Sequence, residues 1–294
     1  MRGFLNRLSS IQNKVLGLNE RNTTLVYAHN DRRDYPLADD KSKCKEILHK
    51  EGIATPETFV LIDGLRQIPN FWENTADRQK LVIKPAKGSG GGGILVLNRL
   101  SADTFQTPSG KIYDKDDIEM HLANIIFGVY SFGSSDIAIV EQQLIPHSFF
   151  TNIYSNGIPD FRVIVFKNQP LMAMLRMPTN ASDGKGNLHA GAIGVGIDLE
   201  SGVLTKGFMK GEYLSAHPDS QVVFEGLQLP CWEETMALTL QTAKAFPLKY
   251  LGIDIVFDEV HGPMIMEINV RPGLEIQNVN QKGLLERINE LKIN

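Results

Sequence analysis

Residues 264–273 read Met264-Ile265-Met266-Glu267-Ile268-Asn269-Val270-Arg271-Pro272-Gly273, an apolar run with polar side chains at alternate positions. A second such run, Gly252-Ile253-Asp254-Ile255-Val256-Phe257, precedes it, and a turn-like segment separates the two. Alternate side chains of a strand share a face, so Glu267 and Asn269 project together, and Asp254 joins them if the runs pair as a hairpin. Three oxygen ligands on a rigid sheet suit a Mg²⁺ ion that is shared with nucleotide phosphates. Two buried strands with polar ends and no bound metal would show the same sequence pattern.

The composition is that of an ordinary globular protein. The 294 residues are 42% apolar and 22% charged, which is enough for one or two domains with a large core. A net charge of -4 gives no support for nucleic-acid binding, and no run of about 18 apolar residues predicts a membrane span. Two cysteines, Cys44 and Cys231, are too few for a disulfide framework or a zinc site, and they favour a reducing, cytoplasmic location.

Hydrophobic periodicity predicts three segments. Residues 1–40 form a short, partly helical N-terminal segment that begins with a helix over residues 1–18. Residues 41–140 form a small α/β subdomain with helices at 41–51, 71–78 and 116–130 and strands at 58–62, 81–85, 94–97 and 137–144. Residues 141–294 form a larger α+β unit with strands at 161–166, 171–177, 192–199, 253–257 and 264–270 and helices at 231–245 and 283–291.

A glycine-rich loop, Gly88-Ser89-Gly90-Gly91-Gly92-Gly93, follows the strand that carries Lys84. Consecutive glycines allow backbone N–H groups to approach a phosphate closely. The loop is neither a P-loop nor a Rossmann fingerprint, because no Gly-Lys-Ser/Thr follows and the next element is a strand. It is either a flap over a triphosphate or a plain flexible hairpin loop. Lys84 can reach the phosphates, whereas Lys41 by itself is an ordinary surface lysine.

Two arginines, Arg162 and Arg176, lie on the strands of a predicted hairpin. A buried guanidinium must have a partner, which is either a phosphate or carboxylate ligand or a structural acid such as Asp160 or Glu267. Asn187 follows a small, polar loop and is a candidate for orienting a substrate. No spacing among the histidines indicates a metal cluster.

Together these segments resemble the ATP-grasp superfamily. The likeness is strongest to the RimK-like alpha-L-glutamate ligases and to the sugar-transfer-associated ATP-grasp proteins, and it spans about residues 39 to 290. The segments that carry it, in order, are Asp40-Lys41, Val82-Ile83-Lys84-Pro85 with the glycine loop, Ile139-Val140-Glu141-Gln142-Gln143-Leu144, Asp160-Phe161-Arg162, Asn187-Leu188-His189-Ala190-Gly191, Gly252-Ile253-Asp254, and Glu267-Ile268-Asn269 with Pro272-Gly273. The implied fold is α+β, with two α+β subdomains sandwiching ATP and a truncated N-terminal segment.

The resemblance also implies site residues and cofactors. ATP and two Mg²⁺ ions are expected, with Mn²⁺ as an alternative metal. The residues implied at the nucleotide phosphates are Lys41, Lys84, Gly88, Ser89, Gly90, Gly91 and Gly92, and those at the adenine are Glu141, Gln142, Gln143 and Leu144. The implied metal ligands are Asp254, Glu267 and Asn269. Arg162, Arg176 and Asn187 are implied at the phosphoryl or carboxylate end of the site. Whether Lys41 or the nearby Lys43 contacts phosphate stays open.

Three departures from the glutamate ligases concern the acceptor side. Only about 40 residues precede Lys41, too few for the α/β domain expected there. Ala190 stands where an arginine follows the Asn-Leu-His motif, and Val270-Arg271 stands where a small residue follows the metal asparagine. Arg271 is therefore a candidate carboxylate or phosphate clamp.

The implied function is an ADP-forming carboxylate–amine ligase that makes an amide through an acylphosphate. Two alternatives remain: an ATP-grasp kinase that phosphorylates a hydroxyl, and a nucleotide-binding partner protein with little turnover. The expected substrates are a small acid and an amine, or a peptide, protein or glycan acceptor. A homo-oligomer or a partner subunit that completes the acceptor site is a further expectation.

Overall fold

The structure, a computed structural model, describes residues 15–88 and 90–293. The chain forms two compact units. The large unit contains residues 15–39, 47–54 and 145–293, and the small unit contains residues 40–46, 55–88 and 90–144. These units differ from the predicted division at residues 40 and 140, because residues 15–39 pack with the large unit and residues 141–144 with the small one. Most of the predicted helix over residues 1–18 lies outside the described residues.

The N-terminal segment is a series of short helical turns. They are α1 (Leu18–Glu20), a π-helical turn (Arg21–Val26), α2 (Tyr27–His29), a 3₁₀ turn (Arg32–Asp34) and α3 (Pro36–Asp39). Buried amides attach this segment to the large unit. Gln277 binds the N–H and C=O of Leu16 at 2.8 and 3.0 Å, and Asn30 binds the N–H and C=O of Tyr250 at 3.0 and 2.8 Å. A buried backbone group needs such a partner, which explains why the segment is fixed there.

Helix α4 (Lys41–Lys50) precedes the first strand, and Gly52, at φ +66°, ends that helix. The small unit then contains β1 (Thr58–Ile62), a 3₁₀ turn (Leu65–Gln67), α5 (Pro69–Asn74), β2 (Lys80–Pro85), β3 (Leu95–Arg99), β4 (Phe105–Gln106), β5 (Ile112–Tyr113), α6 (Lys115–Ile126) and β6 (Ala138–Gln142). Its strands form a six-stranded antiparallel sheet in the order β1-β6-β2-β3-β4-β5.

Alternation along these strands separates a core face from a polar face. Leu81 and Ile83 of β2 belong to the apolar core with Val140 of β6, and α6 packs against that side. Lys84 of β2 and Glu141 of β6 fall on the opposite face. A capping box between Asp114 and Asp117 begins α6.

From residue 145 onward, the large unit contains α7 (Ser148–Thr151), β7 (Asp160–Phe166), β8 (Gln169–Met177), 3₁₀ turns Asn180–Ser182 and Leu188–Ala190, β9 (Ile193–Ile197), β10 (Leu204–Met209), β11 (Glu212–Leu214), α8 (Trp232–Ala245), β12 (Tyr250–Asp258), β13 (Gly262–Asn269), α9 (Glu275–Val279) and α10 (Leu284–Glu290). Its strands form a seven-stranded antiparallel sheet in the order β11-β10-β9-β8-β7-β12-β13. Strands β7 and β12 are buried along nearly their whole length, which matches their continuous apolar sequences.

The predicted strands of the sheet cores are present, and the differences lie at the edges. The helix predicted over residues 116–130 ends at Ile126, because Gly128 at φ +77° turns the chain away. Strands β4, β5, β10 and β11 were not predicted, since each is short or lacks a clear apolar alternation. Within the described ranges, no helix combines the length and apolar character needed to cross a bilayer.

Candidate active site

Strands β12 and β13 place three oxygen-bearing side chains on one face of the large unit's sheet. Asp254 lies directly opposite Glu267, and Gly252 lies opposite Asn269. Directly opposed residues of an antiparallel pair share a face, as do residues two apart. The structure therefore brings Asp254, Glu267 and Asn269 together on one face. We refer to this side of the sheet as the carboxylate face.

Two arginines from neighbouring strands complete the carboxylate face. Arg162 of β7 lies opposite Asp254 and donates from Nε and Nη2 to its two oxygens at 2.8 and 2.5 Å. Arg176 of β8 lies opposite Asp160, forms a bidentate pair with it, and reaches Asp254 Oδ2 at 2.9 Å. Asp160 is thus the structural partner of Arg176, and Asp254 binds Arg162.

The arginines decide the protonation of this cluster. Burial alone would raise the pKa of Asp254, but Arg162 and Arg176 outweigh it and hold that pKa at about 2. Burial likewise tends to lower the pKa of Arg176, and Asp160 and Asp254 overcome this and raise it. Burial raises the pKa of Asp160, against the opposing effect of Arg176. Asp254 is therefore an ionised carboxylate at neutral pH.

The donor set of the carboxylate face has the chemistry that a hard divalent cation prefers, and a cation at Asp254 would share its oxygens with the donors of Arg162, Arg176 and Asn269. Two carboxylates and a carboxamide supply oxygen ligands of the kind that Mg²⁺ prefers. Asn269 uses its Nδ2 to bind Asp254 Oδ2 at 3.2 Å, so its Oδ1, the atom that can ligate a metal, is not used in that contact. Within the described residues no group of three His, Cys, Asp or Glu side chains forms a metal cluster, so a site here depends on Asn269 as the third ligand.

The small unit buries a separate ionic cluster on the polar face of its sheet. Glu141 is 1% exposed and pairs with Lys84 through one oxygen and with Lys45 at 2.5 Å through the other. Burial raises the pKa of Glu141, but the two lysines outweigh it and lower that pKa overall. Burial lowers the pKa of Lys45, and Glu141 only partly offsets this. Both oxygens of the Glu141 carboxylate are thus occupied by lysines.

The sequence alone does not identify Lys45 as a site residue. Only its position on α4, one turn after Lys41, could have suggested that both lysines face the same way. The Lys45 ammonium also donates to Pro56 O at 2.7 Å. Lys41 Nζ lies 2.9 Å from Gly88 O, at the base of the glycine loop, whereas Lys43 is exposed. The structure therefore places Lys41 rather than Lys43 beside the loop.

The glycine loop connects the antiparallel strands β2 and β3, as the sequence indicated. Ser89 lies outside the described residues. Gly90, Gly91 and Gly93 have φ values of +64°, +80° and +76°, a region that other residues avoid. Gly93 packs so closely that an added Cβ would come within 2.6 Å of the Tyr130 ring. The loop is thus fixed at Gly93, while Gly90 and Gly91 have nothing within 4 Å of an added Cβ.

A buried aspartate organises the start of this loop. Asp136 is 2% exposed and accepts hydrogen bonds from the N–H of Lys87 at 3.1 Å and from the Ser131 hydroxyl. The Lys87 ammonium in turn donates to Ser135 O at 2.9 Å. The sequence does not predict this role for Asp136, because nothing in its local pattern distinguishes it from an ordinary loop residue.

The remaining candidates fall at three places. Gln142 pairs its backbone with Glu57 at 2.9 Å, and Gln143 has a buried Oε1 with no hydrogen-bond partner in the described chain. The Asn187 side chain accepts from the N–H of His189 at 3.0 Å and so caps a 3₁₀ turn. Arg271 is exposed and stacks on the Tyr35 ring, 5.0 Å from its centroid.

Comparison with known proteins decides the family. Residues 20–292 match the model of the family described as sugar-transfer associated ATP-grasp. The chain belongs to this family. Its predicted α+β ATP-grasp fold is confirmed by this match and by the two antiparallel sheets.

Other ATP-grasp proteins are similar to this chain in sequence or in fold. A curated relative from Trichodesmium erythraeum (strain IMS101), named "Probable alpha-L-glutamate ligase", is 25% identical over 236 residues, which are 80% of this chain and 57% of the relative. The biotin carboxylase–ATP complex from Campylobacter jejuni has a TM-score of 0.53 at 14% identity, over 83% of this chain and 43% of that one. The ATP-grasp ligase PsnB with its precursor peptide and AMPPNP has a TM-score of 0.50 at 14% identity, over 90% and 61%.

The two solved structures are each 14% identical to this chain, and at that identity they show that it shares their fold. The ATP-grasp chain spans somewhat more than half the length of the curated glutamate ligase relative.

Proposed function

We propose that this ATP-grasp protein is an ADP-forming carboxylate–amine ligase. The observation that carries the proposal is the carboxylate face, where Asp254 lies opposite both Glu267 and Arg162. A metal-binding carboxylate held beside two guanidiniums suits the transfer of a phosphoryl group to an acid, because negative charge accumulates there. The family match supports this chemistry.

On the large unit, Asp254, Glu267 and Asn269 would hold two Mg²⁺ ions. When bound, the metal would neutralise the phosphate charge of ATP. Arg162 and Arg176 contact their acids through Nε and Nη2, so the Nη1 group of each lies outside those pairs. We assign these Nη1 groups to the carboxylate and the transferred phosphoryl group, which each guanidinium can neutralise without losing its aspartate.

On the small unit, Lys41, Lys84 and the glycine loop would bind the nucleotide phosphates. Glu141 would act through Lys84, whose ammonium it holds in a buried position. The backbone of residues 142–144 would recognise the adenine edge, and the buried, unpartnered Oε1 of Gln143 is consistent with a ligand near that strand end.

The reaction would have two steps. A carboxylate oxygen attacks the γ-phosphorus of ATP, the bond to the ADP oxygen breaks, and an acylphosphate forms. An amine then attacks the carbonyl carbon, the bond from carbon to the phosphate oxygen breaks, and phosphate and a proton leave. Asn187 and Arg271 are proposed to face the acid and the acceptor. Excluding water from the acylphosphate would prevent its hydrolysis.

The first test is an assay of Mg²⁺-dependent ADP and phosphate release with pooled acids and amines, with mass spectrometry of the products. We expect both releases together with a product of the mass of acid plus amine minus water. Glu267→Gln should abolish them, and Glu225→Gln, an equal change at an exposed turn residue, should not.

The same assay separates the alternatives. ADP release with a product heavier by one phosphoryl group would replace the ligase with a kinase. Tight ATP binding without ADP release under every substrate pool would favour a nucleotide-binding protein with little turnover. ADP release that persists in Glu267→Gln would contradict the metal assignment.

A further inference from the structure

The N-terminal segment forms one side of a cavity in the large unit. The cavity has a volume of about 690 Å³ and is lined by residues 27–32, Tyr35 and Arg271. Its size is within the range of small-molecule sites, which is roughly 300–1,000 Å³. All the residues that line it belong to the large unit.

The cavity adjoins the carboxylate face through the segment that follows β13. Arg271 is two residues after Asn269, so their Cα atoms are at most about 7 Å apart. Pro272 covers Gly252 on β12, where an added Cβ would lie 2.5 Å from the Pro272 Cβ. Arg21 of the N-terminal segment donates from Nη1 to Pro272 O at 2.6 Å. This bond joins the N-terminal segment, which supplies most of the cavity lining, to the residues that follow the β12–β13 hairpin.

The lining of the cavity carries a net positive charge. Arg271 is exposed and is oriented by its stacking on Tyr35, and Arg32 is exposed and forms no ion pair with any described residue. The acidic side chain in the lining, Asp31, pairs with Arg33, whose Nε lies 3.0 Å away and also 3.9 Å from Asp34. Two exposed guanidiniums, whose N–H groups form no hydrogen bond to any described residue, favour a carboxylate or phosphate, and the exposed Tyr27 ring offers a flat wall for the body of the molecule.

We infer that this cavity binds a distal anionic group of the acid substrate, a carboxylate or phosphate other than the carboxylate that is activated. The inference rests on the proposed ligase function and adds a substrate class to it: acids with a second negative charge. Arg271, closer to Asn269, would contact the substrate between its two ends. Arg32 would contact the distal anion and so select dianionic substrates over simple monocarboxylates.

The test is calorimetric titration of the full chain with three probes, in the presence and absence of Mg²⁺ and AMPPNP. The probes are glutarate with two carboxylates, 3-phosphoglycerate with a carboxylate and a phosphate, and butyrate as a monocarboxylate of similar size. The variants are Arg32→Gln and the matched control Arg66→Gln, which removes an exposed arginine of the small unit. Because both arginines are exposed, neither substitution should affect folding.

We expect at least one dianion to bind about tenfold more tightly than butyrate, and Arg32→Gln to remove that advantage, since a hydrogen bond between charged groups accounts for about a tenfold change. Arg66→Gln should leave it unchanged. Whichever of the two dianions binds with the higher affinity identifies the distal group as a carboxylate or a phosphate. Equal affinities for all three probes, or equal losses in both variants, would overturn the inference. Failure of AMPPNP to bind while the dianion preference persists would instead overturn the ligase proposal.

Discussion

Arg162 holds both carboxylate oxygens of Asp254, with Nε and Nη2 at 2.8 and 2.5 Å, across directly opposed positions of β7 and β12. This pair is almost fully buried, and Arg176 adds a second guanidinium to the same carboxylate. The residue proposed to bind the metal thus also neutralises two buried positive charges. A group with both roles links the stability of the large unit to its proposed chemistry.

Replacing Asp254 should therefore affect stability as well as activity. Asp254→Asn leaves two buried guanidiniums without this carboxylate, and breaking a buried pair costs about 3–5 kcal/mol. We expect loss of ADP formation and a marked fall in the free energy of unfolding, measured by urea titration. Asp183→Asn is the matched control, because Asp183 is exposed and its φ of +52° suits asparagine. A stable Asp254→Asn protein would show that the arginines do not depend on this acid.

A second prediction concerns the buried cluster of the small unit. Lys45→Met removes one of the two ammonium groups on Glu141, so we expect a loss of about 1–3 kcal/mol in the free energy of unfolding. Lys84 remains as a partner, which limits the loss. Lys43→Met, on the exposed side of the same helix, should change it by less than about 0.5 kcal/mol. Equal effects in urea unfolding would mean that the Lys45 pair contributes nothing.

The glycine loop allows a comparison between two positions with the same backbone requirement. Gly91 and Gly93 both have positive φ, so alanine at either costs about 1 kcal/mol. Only at Gly93 does the new Cβ also meet the Tyr130 ring, which adds about 1–3 kcal/mol and displaces the loop. We expect Gly93→Ala to raise the apparent KM for ATP more than Gly91→Ala. The reverse order in steady-state assays would show that the loop is not fixed at Gly93.

Local patterns predicted the sheet cores and the carboxylate face, because alternation along β12 and β13 determines which side chains share a face. They could not predict Lys45 or Asp136, whose roles depend on partners brought together by the fold. Nor could they predict the cavity, because the bond from Asn30 to Tyr250 joins residues 220 positions apart. Contacts of this kind depend on tertiary packing, and no local period in the sequence records them.

The contact between His121 and Gly93 predicts a dependence of stability on pH. His121 Nε2 lies 3.0 Å from Gly93 O, and the carbonyl must be the acceptor. Burial lowers the pKa of His121 below its usual 6.5, although the bond to Gly93 opposes this. The folded state therefore favours the neutral ring. Its contribution to stability is complete above about pH 6.5 and is lost as the pH falls through the lower, folded-state pKa.

The variant His121→Gln isolates this effect, because glutamine donates a hydrogen bond but does not titrate. We expect the urea midpoint of the unmodified protein to fall more between pH 7.5 and pH 5 than that of the variant. The other histidines are common to both proteins, so their titration cancels in the difference. Parallel pH profiles would mean that His121 stays accessible to protons in the folded state, and that the glycine loop is held at Gly93 by its packing on Tyr130 alone.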